Sequence, residues 1–183
     1  IINMSFGKYT SPGYTEVAKA IRYAQEKDVL LVHSAGNDAM ELADSVIKNY
    51  PNAHIDSNTL AENFIQVGAT GNSPKKLVAG FSNYGRYSVD IMAPGVNIYA
   101  TVPADTFAKY SGTSMAGPVV AGVAAMLRSY YPQLTAAQVK TILMQTVTKS
   151  TLYADVPGRR KTIAQLCYFC RAGGIVNAAA AIQ

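Results

Sequence analysis

A chain of 183 residues, 49% of them hydrophobic and 15% charged, is long enough for one domain with a buried core, and its composition excludes a disordered tail. The net charge of +5 comes from scattered lysines and arginines. Gly158-Arg159-Arg160-Lys161 is the one basic cluster, and it reads as a solvated turn and not as a nucleic-acid patch. No apolar run approaches the roughly 20 residues of a membrane-spanning helix.

In chain order, Ile1 to Gly7 reads as a strand and Thr15 to Lys27 as an amphipathic helix with Val17, Ala20, Ile21 and Ala24 on one face. Val29 to Ala35 is a β-branched apolar run of buried-strand length that stops at Gly36-Asn37-Asp38. These three elements make a β-α-β unit, whose crossover is expected to be right-handed. Further strands are predicted over Phe64 to Ala69, Val89 to Met92 and Ile98 to Val102. A helix from about Ser114 to Tyr130 is apolar nearly all round and is expected to be buried. Thr135-Ala136-Ala137-Gln138 has the pattern of a capping box and opens a helix with Val139, Ile142 and Leu143 inward. Val156 to Gly174, rich in glycine and basic residues, fits a hairpin or loop before a final alanine-rich helix. The expected fold is α/β, a mostly parallel sheet covered by helices.

Gly112-Thr113-Ser114-Met115-Ala116-Gly117-Pro118 places one serine among small residues at the start of an apolar helix. Small neighbours let a substrate carbonyl approach the hydroxyl, and glycine at 112 suits a tight turn. Near a helix N-terminus, free N–H groups and the positive dipole end favour a developing oxyanion. Pro118 cannot donate to the Ser114 carbonyl and belongs near a first turn. A serine capping a buried helix has the same appearance. Asn37 stands at a strand's C-terminal end, where α/β proteins meet ligands, although an Asx turn is its structural alternative.

Six segments in order, Asn3-Met4-Ser5-Phe6-Gly7, Ala35-Gly36-Asn37, Val67-Gly68-Ala69, Ala93-Pro94-Gly95, Gly112-Thr113-Ser114-Met115-Ala116 and Gly173-Gly174-Ile175-Val176-Asn177-Ala178, resemble the subtilisin-like serine peptidases, or subtilases. The resemblance implies a three-layer α/β fold and a serine endopeptidase. It puts the acylated nucleophile on Ser114 and an oxyanion donor on Asn37. It lays the substrate backbone along Ser5-Phe6-Gly7, with Ser34-Ala35-Gly36 as the other wall of the specificity pocket. Subtilases commonly carry histidine where Val119 stands, a structural difference. Their triad follows the order Asp, His, Ser, so residues 1–183 are expected to be the C-terminal part of a peptidase domain whose Asp- and His-bearing part lies upstream of Ile1. Such a piece alone is expected to be inactive. The resemblance further implies a polypeptide substrate, no required cofactor, room for structural calcium, and a secreted or cell-envelope location. The segment from Asn49 to Asn63 departs from the family pattern, and no calcium ligand set can be read there.

Two histidines are present. His33 lies within the strand before Asn37 and reads as a satisfied core or strand-end imidazole, and His54 sits in a polar connection, so neither is expected to be the general base. Cys167 and Cys170 are expected to form a local disulfide or to stay free thiols, since no zinc ligands or redox pattern accompany them. An α/β-hydrolase elbow needs Gly-x-Ser-x-Gly, and Ala116 occupies its last place. Ser-x-x-Lys occurs at Ser45 to Lys48 and Ser73 to Lys76 without the companion β-lactamase signatures. The rival from another class is a non-catalytic subtilase-like module that binds or scaffolds.

Overall fold

A computed structural model of the chain describes residues 1–42, 49–73 and 76–183. The first Ser-x-x-Lys stretch, 45–48, lies outside the described residues, as does the middle of the second. Elements follow in the order β1 (Ile2–Met4), α1 (Tyr14–Glu26), β2 (Leu31–Ser34), β3 (Phe64–Thr70), β4 (Ile91–Pro94), β5 (Ile98–Val102) and β6 (Thr106–Tyr110). Then come α2 (Thr113–Tyr130), α3 (Ala136–Gln145), β7 (Thr148–Lys149), β8 (Tyr153–Asp155), β9 (Ile163–Gln165), α4 (Leu166–Phe169), β10 (Gly174–Ile175) and α5 (Ala178–Ile182).

Six strands form one sheet in the order β1-β2-β3-β4-β10-β7, parallel throughout except for β7. Every residue of β2 and β3 is buried, as expected of parallel strands covered on both faces. Alternation divides their side chains between two layers. Val32, Ile65, Val67 and Ile91 pack against Ala116, Val120 and Leu127 of α2, Val139 and Leu143 of α3 and Ala181 of α5. Leu31 and Phe64 face Ile21 of α1 on the opposite side. The molecule is the three-layer α/β structure that the sequence implied. Asp28, at φ 53° just past α1, joins three helices: Oδ2 pairs with Arg128 of α2, and Oδ1 accepts from the Ala136 N–H at the start of α3.

Three departures from the sequence expectations have physical causes. β1 is regular only over three residues, because beyond the Met4–His33 pair the Phe6 carbonyl turns to His33 Nε2 at 2.7 Å. α2 is not buried all round: Pro118, Gly122, Ala125 and Met126 form an exposed stripe on the side away from the sheet. The strand expected over Val89 to Met92 begins at Ile91, since the Val89 N–H closes a turn onto the Gly85 carbonyl. The capping box of α3 is formed, with Thr135 accepting from the Gln138 N–H and the Gln138 side chain accepting from the Thr135 N–H.

β1 is the outermost strand, and among the described residues its outer edge has no partner. Ile2 is 49% exposed and Phe6 65%. Beside them an apolar groove of about 590 Å³ runs between β1 and α1, lined by Met4, Val17, Ile21 and Leu31 among others.

Candidate active site

Two chain breaks in regular structure meet at the C-terminal end of the sheet. After β2 the backbone passes through Gly36 at φ +101°, a left-handed conformation that favours glycine. A Cβ there would also come within 2.4 Å of Asn83 Nδ2. Opposite, α2 begins at Thr113 behind the extended Gly112.

Thr113, fully buried, latches the two segments together. Its hydroxyl accepts from the Gly36 N–H at 3.1 Å and donates to Asn37 Oδ1 at 2.9 Å, while its own N–H also donates to that oxygen at 2.9 Å. Two donors on one amide atom identify it as the oxygen, so Asn37 Nδ2 is the outward atom. That nitrogen, and the Ser114 backbone nitrogen, have no partner among the described residues. A carbon placed at the missing Cβ of Gly112 would lie 3.3 Å from Asn37 Nδ2 and 3.6 Å from Ser114 N. The two nitrogens therefore lie close to one another at a helix N-terminus, where the dipole adds positive potential. The backbone at Gly112 is extended, and a side chain there would press against Asn37 Nδ2.

Pro118 stands one turn after Ser114 and withholds the N–H that would satisfy the Ser114 carbonyl. Ser5 replaces it: its Oγ donates to Ser114 O at 2.9 Å, and Asn3 Nδ2 donates in turn to Ser5 Oγ at 2.9 Å. Ser34 Oγ donates to Thr113 O at 2.9 Å. A Cβ on Gly117 would approach Asn3 Oδ1 to 2.9 Å and Ser34 Oγ to 3.2 Å, so glycine is what lets the helix sit this close to the strand ends. Ser114 Oγ itself makes one contact among the described residues, to Ser5 O at 3.5 Å, the long limit of a hydrogen bond.

A cavity of about 340 Å³ opens beside the serine. Ser5, Phe6 and Gly7 line one side, Ser34, Gly36, Asn37 and Asp38 the other, with Thr113 and Ser114 at the end. Asn49 spans the two sides. Its Nδ2 donates to Ser34 O at 3.0 Å, and its Oδ1 stands where a Gly7 Cβ would come within 2.5 Å. The structure thus gathers seven of the eight candidate residues around one space. The eighth, Ala35, is fully buried and does not face the cavity, because its carbonyl is drawn inward by Asn83 Nδ2 at 2.9 Å.

Sequence reasoning passed over Asn83, Tyr9, Asp38 and Asn49. Asn83 is buried and braces the loop that carries Asn37: its Oδ1 accepts from the Asp38 and Met40 N–H groups, both at 3.0 Å. Nothing local marks it, since Ser82-Asn83-Tyr84-Gly85 reads as an ordinary turn.

Neither histidine lines the cavity. His33 is fully buried beneath the Phe6 carbonyl, to which Nε2–H must donate, since a carbonyl only accepts. Its Nδ1 has no partner, so the imidazole expected to be satisfied is satisfied on one side only. Burial drives its pKa down to about 4, against a smaller upward pull from the Phe6 hydrogen bond. His54 lines a separate depression. Both cysteines are free thiols, Cys167 exposed and Cys170 buried, and burial pushes the Cys170 thiol up to about 11.

A model described as "Subtilase family" matches residues 1–161. Subtilisin DY of Bacillus licheniformis is 38% identical over 148 residues, which is 81% of this chain and 49% of that protein. Subtilisin E of Bacillus subtilis (strain 168) is 38% identical over the same length, 81% of this chain and 35% of that protein. The solved structure of the prenylagaramide maturation protease PagA superposes with a TM-score of 0.73 at 30% identity, covering 99% of this chain and 60% of that one. The chain spans about half, or less, of the length of these curated relatives.

Proposed function

This chain belongs to the subtilase family, and on that premise we propose that it is the nucleophile-bearing part of a serine endopeptidase that cleaves polypeptides through an acyl-enzyme on Ser114. Ser114 Oγ attacks the scissile carbonyl carbon and gives its proton to a histidine, itself oriented by an aspartate, both supplied by a segment upstream of Ile1. The carbonyl oxygen becomes an oxyanion that accepts from Asn37 Nδ2–H and Ser114 N–H. The histidine then protonates the leaving amine, and water, deprotonated by the same histidine, releases the acyl group. Ser5, Phe6 and Gly7 on one side, with Ser34 and Gly36 on the other, hold the substrate against the nucleophile. The chemistry requires no cofactor, and calcium enters this reading only as a structural ion.

The observation that supports the reading is that Asn37 Nδ2 and Ser114 N, two donors without a partner among the described residues, lie close to one another, with Asn37 and Ser114 lining the same cavity. A role for an upstream segment draws support from the unpaired outer edge of β1, the apolar groove beside it and the exposed stripe on α2, since bare edges and apolar patches of this kind mark surfaces that other chain segments cover. We place the protein outside the cell or in its envelope by analogy with the family. Among the described residues no helix is long and apolar enough to cross a membrane.

The test is to label the full-length protein with a fluorophosphonate and map the adduct. It is expected on Ser114; an adduct on another residue, or none on folded protein, refutes the assignment. Residues 1–183 alone are expected not to hydrolyse peptides, and turnover by them that Ser114→Ala abolishes would show that the base lies within this stretch.

A further inference from the structure

Two residues hold Asn37, and they work from opposite ends of its side chain. Thr113 fixes the tip, with two donors on Oδ1. Asn83 fixes the base, through the peptide bonds on either side of the Asn37 Cα. In the bond before Asn37, the Gly36 carbonyl accepts from the Asn83 backbone N–H at 2.9 Å. In the bond after it, the Asp38 N–H donates to Asn83 Oδ1 at 3.0 Å. Each peptide unit is planar, so a hold on both units leaves the two backbone dihedrals of Asn37 little freedom. The direction of its Cα–Cβ bond is set with them.

The same side chain extends the hold along the loop. Oδ1 also accepts from the Met40 N–H at 3.0 Å, and Nδ2 donates to the Ala35 carbonyl and to the Tyr9 hydroxyl, both at 2.9 Å. Two N–H donors on one amide atom assign it as the oxygen. Tyr9, accepting from Asn83, donates in turn to Asp38 in a short hydrogen bond. Asn83 is fully buried and rests on the central sheet. Its carbonyl accepts from Ser82 Oγ at 2.8 Å, and that oxygen accepts from the Ala69 N–H of β3 at 2.9 Å. The loop that carries Asn37 is thereby tied to the middle of the sheet as well as to the end of its own strand.

We propose that Asn83 is a positioning residue for peptide-bond cleavage: through the two peptide units that flank Asn37 it holds the Asn37 amide in the orientation that receives the oxyanion. The proposal rests on the reading of Ser114 as nucleophile and Asn37 as oxyanion donor. Asn83 itself does not line the cavity, so its effect reaches the reaction through Asn37 and not through contact with substrate. A donor fixed in advance needs no reorganisation as charge develops. A displacement of about 1 Å in such a group can cost about 10²-fold in rate.

The experiment is a double-mutant cycle in the full-length protein, read with an alkyl fluorophosphonate, whose phosphoryl oxygen takes the place of the oxyanion. The limiting rate of adduct formation on Ser114 (kinact) and the half-saturating concentration (KI) are measured by mass spectrometry for wild type, Asn37→Ala, Asn83→Ala and the double variant. Thermal unfolding checks that each is folded. Asn83→Ala is expected to lower kinact about ten- to a hundred-fold with KI little changed. In the Asn37→Ala background the same substitution should cost less than about two-fold more, because the amide it positions is gone. If Asn83→Ala does not fold, Asn83→Asp replaces it in the cycle. That variant keeps an acceptor for the Asp38 and Met40 N–H groups but sets a carboxylate oxygen against the Ala35 carbonyl, and it should give a smaller loss with the same non-additivity. Losses that multiply, an unchanged kinact in a folded Asn83 variant, or a change confined to KI overturn the proposal, while a Ser114 adduct that forms slowly in Asn37→Ala leaves nucleophile and oxyanion donor standing. Asn37→Ala protein that labels as fast as wild type removes the oxyanion reading and the proposal with it.

Discussion

Protonation of His33 should unfold this protein more readily in acid, by an amount the surroundings of the ring set. The native imidazole carries its proton on Nε2, bonded to the Phe6 carbonyl, and leaves Nδ1 buried without a partner among the described residues, in a ring 5.7 Å from that of Phe64 between centroids. A second proton would have no acceptor there. The ring's pKa falls from 6.5 to about 4 on folding, a shift of about 2.5 units, or about 3 kcal/mol at 1.36 kcal/mol per unit. Its sign follows from proton uptake. Between these two pH values the unfolded chain binds a proton that the folded chain refuses, so the stability contribution is whole above pH 6.5 and is lost as the pH falls towards 4. Native carboxylates add their own acid dependence, and a non-titrating variant removes them by difference. His33→Gln keeps a donor near the Phe6 carbonyl. Urea unfolding of the intact protein, in a Ser114→Ala background to prevent self-digestion, should give wild-type and His33→Gln curves that converge or cross by about 3 kcal/mol over that interval. Parallel curves, or an NMR titration of the native ring near 6.5, would refute the reasoning.

Three further outcomes follow from the site and its supports. In the active protein Asn37→Ala should lower kcat by about 10² to 10³, the loss measured when subtilisin's own oxyanion amide is removed, with little change in KM; Gly112→Ala should also lower kcat, because its methyl would press against Asn37 Nδ2, and an effect confined to KM would reassign both residues to substrate binding. Ser5→Ala leaves the Ser114 carbonyl without a donor and should cost about 1–3 kcal/mol of stability in thermal or denaturant unfolding. Adding Pro118→Ala should recover part of that loss by restoring the helical N–H, and purely additive effects would show that Ser5 is not that carbonyl's substitute donor. Iodoacetamide at neutral pH should label Cys167 and spare Cys170 until the chain is denatured, as read by peptide mapping, whereas equal labelling of both would mean that Cys170 is not the buried, high-pKa thiol described.

Much of the sheet was legible because its strands obey one rule over a few residues: an apolar β-branched run buried on both faces, as in β2 and β3. The capping box at Thr135 is equally local. The end of β1 was not legible, since it depends on a hydrogen bond from His33, on the neighbouring strand, to Phe6. The exposed stripe on α2 escaped for a similar reason: composition says that a helix is apolar all round, but only the assembled layers decide which side meets the sheet. At the site, Ser114 and Asn37 stood out through their segments. Asn83 and Tyr9 did not, because their work is done across 48 and 74 residues of intervening chain, on Ala35 and on each other. Thr113 was visible inside the serine segment without its task being visible, since its partners come from the end of β2.

The bond from Ser5 to the Ser114 carbonyl bears on how this serine could be transplanted. A designer who copies residues 112–118 onto another helix takes the proline along, and with it a carbonyl that the host helix cannot satisfy from within. The donor that completes it sits 109 positions away in the chain, on the segment that lines the opposite side of the cavity. The smallest portable unit is therefore the heptapeptide together with a hydroxyl from a neighbouring strand end, and a graft lacking that hydroxyl would carry Ser114 on a first turn free to shift relative to the cavity wall.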